Sequence, residues 1–382
     1  MPQPPGTLTI PLSGPATLPS IAIDSQGRVV VAWSQETGRN PAIFLERWNG
    51  AQWEPLGASA ANRGAGGTKG EAFAPSVVID AAGNPAIAWQ DRSYGNHEVY
   101  YRHWSGSQWE ELAESATEGG VSKTNTGYSG FPSLALGTDG SPVVAWEEHY
   151  GSKSDIWIRR YSSGLFKRGW MDVGDHPGLT GFPAKISDAR FPSLALDAHG
   201  NPVVAWIDNQ SGSDQVYLQR WNGKRWEELA ESASAGGVSR SRNVAASVTL
   251  KLDSSGNPIL SWKEGDGAGA TVQVKRWDGR QWENVGSGVS EPGANPTWPS
   301  LALDNESQPV VGYRAGAEVR LRRWTGKIWE ALGGFPWQNA PGYTQPIKRQ
   351  MALAAGAGKV CAAWVEEGAS PVIRVGCVSL KP

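Results

Sequence analysis

Short runs of alternating large and small side chains recur along this chain, separated by turns rich in Gly, Pro, Asn and Asp. In Ser193-Leu194-Ala195-Leu196-Asp197 the bulky residues fall on every second position, the period of a half-buried strand. Asp197-Ala198-His199-Gly200-Asn201 supplies a tight turn, with Gly and Asn suited to positive φ. A second apolar run, Pro202 to Trp206, follows, then a polar loop from Asp208 to Asp214. The third run is Gln215 to Trp221, and Asn222-Gly223 turns the chain into a fourth, Trp226-Glu227-Glu228-Leu229. The pattern predicts four short antiparallel strands.

This unit is written seven times. Phe131 to Trp146 is nearly identical to Phe191 to Trp206, and the phrase returns at Pro19 to Trp33, Pro75 to Trp89 and Pro299 to Tyr313. Weaker copies run from Ala246 to Trp262 and from Gln350 to Trp364. Four-stranded units repeated every 51 to 60 residues predict an all-β, seven-bladed β-propeller of antiparallel blades. The blades start near positions 19, 75, 132, 192, 246, 299 and 350, and residues 1–382 form one domain, expected to be monomeric. The last repeat reaches only its third strand, Val372 to Leu380, while an orphan strand, Thr7 to Leu12, precedes the first phrase. That orphan is expected to complete the seventh blade and close the ring, removing an exposed sheet edge.

The run Pro192 to Trp206 resembles the first hairpin of NHL-type propeller repeats. The phrase Arg-Trp-Asn-Gly-x-x-Trp, as at Arg47 to Trp53, resembles Trp-rich bacterial propeller repeats, including those of seven-bladed lectins. The resemblance implies a propeller scaffold and, through the lectins, a carbohydrate ligand. The Asp-box of sialidases and the Gly-His/Trp-Asp pair of WD40 repeats are absent.

A formal net charge of −2 gives no general attraction to nucleic acid or to an anionic membrane, so neither is an expected partner. No apolar run is long enough to span a bilayer, and Met1 to Gly6 does not read as a leader peptide. A secreted, cell-surface or periplasmic location is expected, with the cytoplasm as the alternative. Cys361 and Cys377 flank a hairpin centred near Ala369. Directly opposed cysteines would bridge in an oxidising compartment; two buried thiols are the other reading.

Three groups of residues are candidates for chemistry. The first is a carboxylate two positions after the second-strand Trp: Asp91, Glu148, Asp208, Glu264 and Glu366, with Glu36 displaced by one and Ala315 breaking the series. Such a ring would suit a cation, a basic peptide or sugar hydroxyls. Its structural alternative is pairing with third-strand Arg102, Arg160, Arg220 and Lys275. The second group is aromatic. In-register Trp residues are expected to fill space between blades, which leaves the connector residues Tyr128, Trp298, Trp337 and Tyr343, together with Trp157, as candidates for stacking on sugar. The third is the irregular stretch from Ser162 to Arg190, with Trp170, Asp172, Asp175 and His176.

Catalytic signals are sparse. The five His residues lie in different repeats or strand positions without metal-ligand spacing, and there is no nucleophile elbow or phosphate loop. No cofactor is expected. A non-catalytic carbohydrate-binding module working through the long-loop rim or the clefts between blades is the expected function. A protein-docking scaffold and a propeller glycoside hydrolase or lyase are the alternatives. The enzyme reading requires polar residues peculiar to one or two blades and gathered at the central opening.

Overall fold

The computed structural model describes residues 6–61, 63–124, 127–164, 167–174, 188–338, 351–368 and 370–380. Seven separate four-stranded antiparallel sheets follow one another along the chain, at residues 16–55, 73–110, 128–172, 190–227, 245–284, 297–336 and 351–379. A single 3-10 turn, Gly267–Gly269, interrupts the strands among the described residues. In the seventh sheet the strand order is Thr7–Pro11, Val372–Ser379, Lys359–Glu366, Met351–Gly356. The N-terminal strand therefore closes the ring, paired from Thr7↔Gly376 to Pro11↔Val372. Ile10 brings a fully buried side chain to the seam between the seventh and first blades.

The first strand of every blade lines an axial cavity of about 230 Å³. The repeated Pro-Ser-Leu-Ala-Leu phrase has a specific task there. The Ser hydroxyl of one inner strand accepts the backbone N–H of the next: Val77 to Ser20 at 3.0 Å, Leu134 to Ser76 at 3.0 Å, Leu194 to Ser133 at 3.0 Å, Leu250 to Ser193 at 2.9 Å and Leu353 to Ser300 at 3.2 Å. Thr249 holds the same place in the fifth blade, but its hydroxyl has no partner, and Ala352 holds it in the seventh.

Outer strands tie the ring in the opposite direction. The indole N–H of Trp109, Trp170, Trp226, Trp282 and Trp329 each donates to a backbone carbonyl of the preceding blade or its connector, at 2.9 to 3.0 Å. Hairpin partners pack edge-on in Trp48–Trp53 and Trp221–Trp226, with centroids 5.5 and 5.6 Å apart, and tilted in Trp277–Trp282 and Trp324–Trp329. Second-strand Trp residues are buried, and three of them stack on a third-strand aromatic: Trp33 on Phe44, Trp89 on Tyr100, Trp206 on Tyr217. Trp157 is the equivalent partner of Trp146, 6.2 Å away, so it belongs to the repeat and not to the exceptions. Cys361 and Cys377 face each other across adjacent strands and are joined as a disulfide.

Candidate functional site at the long-loop rim

The inner strands enter the ring through a repeated irregularity. Ladder register shifts at the same place in six blades, and the residue there is left-handed although it is not glycine: Leu18, Ala74, Phe131, Phe191, Ser247 and Trp298, with φ between 48° and 57°. Each such residue costs about 1–2 kcal/mol, and its recurrence marks it as part of the blade's architecture. The bulge turns the backbone N–H of Phe131 and Phe191 toward the preceding blade. There Gln90 Oε1 accepts from Phe131 and Glu147 Oε2 accepts from Phe191, both at 2.9 Å.

These bonds pin two buried polar side chains beside Phe131 and Phe191, which line the axial cavity, and their remaining atoms build the site. Gln90 Nε2 donates to the Tyr128 hydroxyl at 3.0 Å, and Glu147 Oε1 lies 3.0 Å from His149 Nε2. The Tyr128 ring is held between two imidazoles: His97 at 4.9 Å, and His149 at 5.0 Å with the planes perpendicular. Gly130 permits this arrangement, because a Cβ there would meet Tyr128 Cε1 at 2.6 Å. Three strand ends meet here: His97 precedes the third strand of blade two, while Tyr128 and His149 lie on the first and second strands of blade three.

The two imidazoles are tuned in opposite directions. The hydrogen bond to Glu147 raises the pKa of His149, and the charges of Glu147, Asp188 and Glu148 add to it against burial. Burial lowers that of His97, helped by Arg92 and opposed by Glu71 and Asp91; its Nδ1 is buried without a partner. Burial, reinforced by Glu147 and opposed by the Gln90 bond, moves the Tyr128 hydroxyl up to about 12, so it remains a proton donor at neutral pH.

The carboxylate row points elsewhere. Asp91, Glu148, Asp208 and Glu366 are buried and Glu264 is half-buried. Four of them accept the indole N–H two residues earlier in the same strand: Glu148 from Trp146 at 2.9 Å, Glu264 from Trp262 at 3.2 Å, Asp208 from Trp206 and Glu366 from Trp364 at 3.4 Å. Asp91 instead takes the Thr68 hydroxyl at 2.5 Å and the Ser93 N–H at 2.6 Å. In blade one the equivalent residue is Gln35, which accepts from Trp33 at 3.0 Å; the displaced Glu36 is exposed. The expected third-strand cations are occupied otherwise: Arg160 binds the Gly200 carbonyl, Arg220 binds Glu227, and Lys275 binds the Val238 carbonyl. Glu366 does have such a partner, Arg374, at 2.9 Å. The row therefore caps indoles inside the blades, because a buried N–H needs an acceptor, and it offers no open ring to a ligand.

Trp298 and Trp337 are also withdrawn from solvent. Each is 2% exposed, they pack together at 5.7 Å, and the Arg314 guanidinium lies 5.5 and 5.4 Å from their rings. Tyr343, Asp175 and His176 lie outside the described residues. Trp170 is the outer-strand Trp of blade three, and Asp172 pairs with Arg159 at 2.8 Å. Of the residues expected to meet ligand, Tyr128 stands in a polar, partly accessible cluster. Its neighbours His97, His149, Glu147 and Gln90 were missed because the histidines fall in different repeats. Their shared position at rim ends of adjacent strands was the available signal. Among the described residues no cluster of His, Cys, Asp or Glu is arranged to hold a metal ion.

Seven four-stranded sheets in a ring settle the architecture. The chain is a seven-bladed β-propeller. Solved structures of other propellers align over nearly all of it at low identity. Polysaccharide lyase Uly1 superposes with a TM-score of 0.58 at 9% identity, over 95% of this chain and 90% of that one. The α-L-arabinanase of Penicillium chrysogenum gives 0.51 at 13% identity, over 98% and 99%. The six-bladed fucose-binding lectin of Aleuria aurantia gives 0.52 at 14%, over 88% of this chain and 100% of the lectin, consistent with one blade of this propeller lacking a counterpart. No family model and no curated protein matches the sequence. At these identities the likeness extends to the fold alone.

Proposed function

We propose that this propeller recognises carbohydrate at one site on the long-loop rim, centred on Tyr128, and not at seven equivalent sites. The observation that carries this reading is the division among the aromatic residues. The recurrent Trp rings are engaged in packing within and between blades, whereas Tyr128 is non-recurrent and surrounded by hydrogen-bonding groups peculiar to blades two and three. Polar atoms around an aromatic face suit the mixed apolar and hydroxylated surface of a sugar. Carbohydrate is bound or processed by the propellers named above, which supports the ligand class without choosing among them.

A second reading is favoured by the opposed tuning of His97 and His149. Two titratable groups with pKa values driven apart, here on either side of the Tyr128 ring, are the pairing that general acid–base chemistry uses. In that reading His97, whose pKa is lowered, accepts a proton and His149, whose pKa is raised, donates one. A glycan array with wild type and Tyr128→Phe, followed by a reducing-end assay on every bound glycan, separates the two readings. Binding lost in the variant without turnover in wild type supports recognition. Turnover abolished by His97→Gln supports the enzyme, and array binding indifferent to Tyr128→Phe refutes the site.

A further inference from the structure

On the outer flank of the ring, the connectors that leave blades one, two, four and five share one anchor. The N–H of Ala65, Val121, Val238 and Val289 bonds to the first carbonyl inside the preceding third strand, at Ile43, Val99, Val216 and Val272. Two residues beyond each anchor lie Gly67, Lys123, Arg240 and Glu291. Facing each connector is a polar residue of the following blade's third strand, two positions before the hairpin aromatic: Arg102, Arg159, Lys275 and Arg322.

Three of these four cations are satisfied within the protein. Arg159 donates to the Val121 and Ser122 carbonyls at 2.7 and 2.8 Å, and Lys275 donates to Val238 O at 2.7 Å. Arg322 binds the Glu291 carboxylate, which also takes Arg320 at 3.1 Å and the Tyr313 hydroxyl at 2.9 Å. Arg102 differs. Its guanidinium makes no hydrogen bond among the described residues, and its Nε is buried without a partner. Burial lowers its pKa, offset only by the charge of Glu111. It lies in a cleft of about 680 Å³ with Trp104, Trp109, Gln108 and exposed Arg63. The matching cleft beside Glu291 measures about 280 Å³.

The two clefts form an internal comparison. Where the connector carries Glu291, a carboxylate of the protein's own fills the guanidinium and the cleft is small. Where it carries Gly67, the guanidinium is vacant and the cleft is open. We infer that the cleft between blades one and two is a second ligand site, in which Arg102 receives the carboxylate of an acidic sugar lying beside Trp104 and Trp109. Arginine suits this task because its planar fork accepts a carboxylate through two parallel bonds. The carboxylate follows from the geometry alone, and the sugar rests on the carbohydrate reading of the rim.

The test is calorimetric titration of the full chain with trigalacturonate, its fully methyl-esterified form and a tetraglutamate peptide. The proteins are wild type, Arg102→Gln and Gly67→Glu. The Glu variant installs the internal carboxylate seen at Glu291; Lys123 and Arg240 hold side chains at this position with φ of 46° and 45°, and at Gly67, where φ is 67°, an added Cβ requires the flexible Arg102 guanidinium beside it to swing aside. The expected result is binding of trigalacturonate by wild type, weakened at least tenfold in both variants and by esterification. Near-ultraviolet circular dichroism establishes that the variants are folded, and a variant that unfolds leaves the other and the ester comparison to decide. Equal affinity for acid and ester, or unchanged affinity in Arg102→Gln, overturns the site. Binding of tetraglutamate without trigalacturonate overturns the sugar in favour of an acidic peptide. A Tyr128→Phe control keeps the rim and cleft separate: loss confined to Arg102→Gln supports the cleft even if the rim reading fails.

Discussion

Closing the ring with the N-terminal strand places a measurable stress on one side chain. Ile10 is fully buried among Cys361, Ile373, Val375 and the first blade's Trp33, yet its strand pairs with a single neighbour. Truncation to Ala removes three carbons from this packed seam, and buried Ile→Ala changes cost 2–5 kcal/mol, so about 3 kcal/mol is expected. Because the Thr7–Pro11 strand forms an outer edge, the loss should appear as local detachment before global unfolding. An opening made easier by about 3 kcal/mol exchanges amides roughly 100-fold faster, at 1.4 kcal/mol per decade. Hydrogen–deuterium exchange read by mass spectrometry should show this for Ile10→Ala in the segment Val372–Ser379, against a reference in Pro202–Asp208 of the fourth blade. Unchanged exchange in Val372–Ser379, or equal acceleration in both segments, would refute local closure by this strand.

Three further outcomes follow from the same geometry. Ser193→Ala leaves the Leu250 N–H without its acceptor and should destabilise the fold by about 1–3 kcal/mol in denaturant titrations, whereas Thr249→Ala, which removes an unpartnered hydroxyl, should be neutral or stabilising. Burial and the neighbouring Asp208 hold Asp155 above the usual carboxylate range, so its ionised form weakens the fold at neutral pH. Asp155→Asn should then raise the Tm at pH 7, with the gain shrinking as pH falls toward about 3.9, where the unfolded carboxylate also protonates. His149 gains stability from Glu147 that is fully present below the unfolded histidine value of about 6.5 and is lost as pH rises through its higher folded value. Glu147→Gln should lower the His149 titration midpoint in NMR spectra; an unmoved midpoint contradicts the pairing.

Fold and site differed in how far the sequence revealed them. The Ser193-to-Trp206 phrase exposes strand period, turn chemistry and repeat length together, and the orphan strand Thr7 to Leu12 falls where the seventh blade lacks one. Those features are local or periodic, so they survive without coordinates. The carboxylate series was equally regular but left two readings open, since regularity cannot distinguish an acceptor for a buried indole from one open to solvent. The Trp146–Glu148 bond decides that through side-chain direction. The rim cluster was harder still. His97, Tyr128 and His149 are far apart in the repeat pattern and meet in a strand end that bulges at Phe131 and leaves room for the tyrosine ring at Gly130. A site made of departures from a repeat leaves little periodic trace.

The opposed stitching of the blades has a consequence for how such a ring changes over generations. Five of the repeats carry the Ser that receives the successor and five the outer Trp that grips the predecessor, so the means of joining largely travel with the unit. A gene that doubles or drops a whole unit thereby places compatible surfaces side by side, and ring size can shift without inventing a new contact. The seam is where that interchangeability ends. There Ala352 replaces the Ser, the Trp53 N–H has no acceptor, and a borrowed strand and a cystine in the closing blade stand at the one join that cannot be copied from its neighbours.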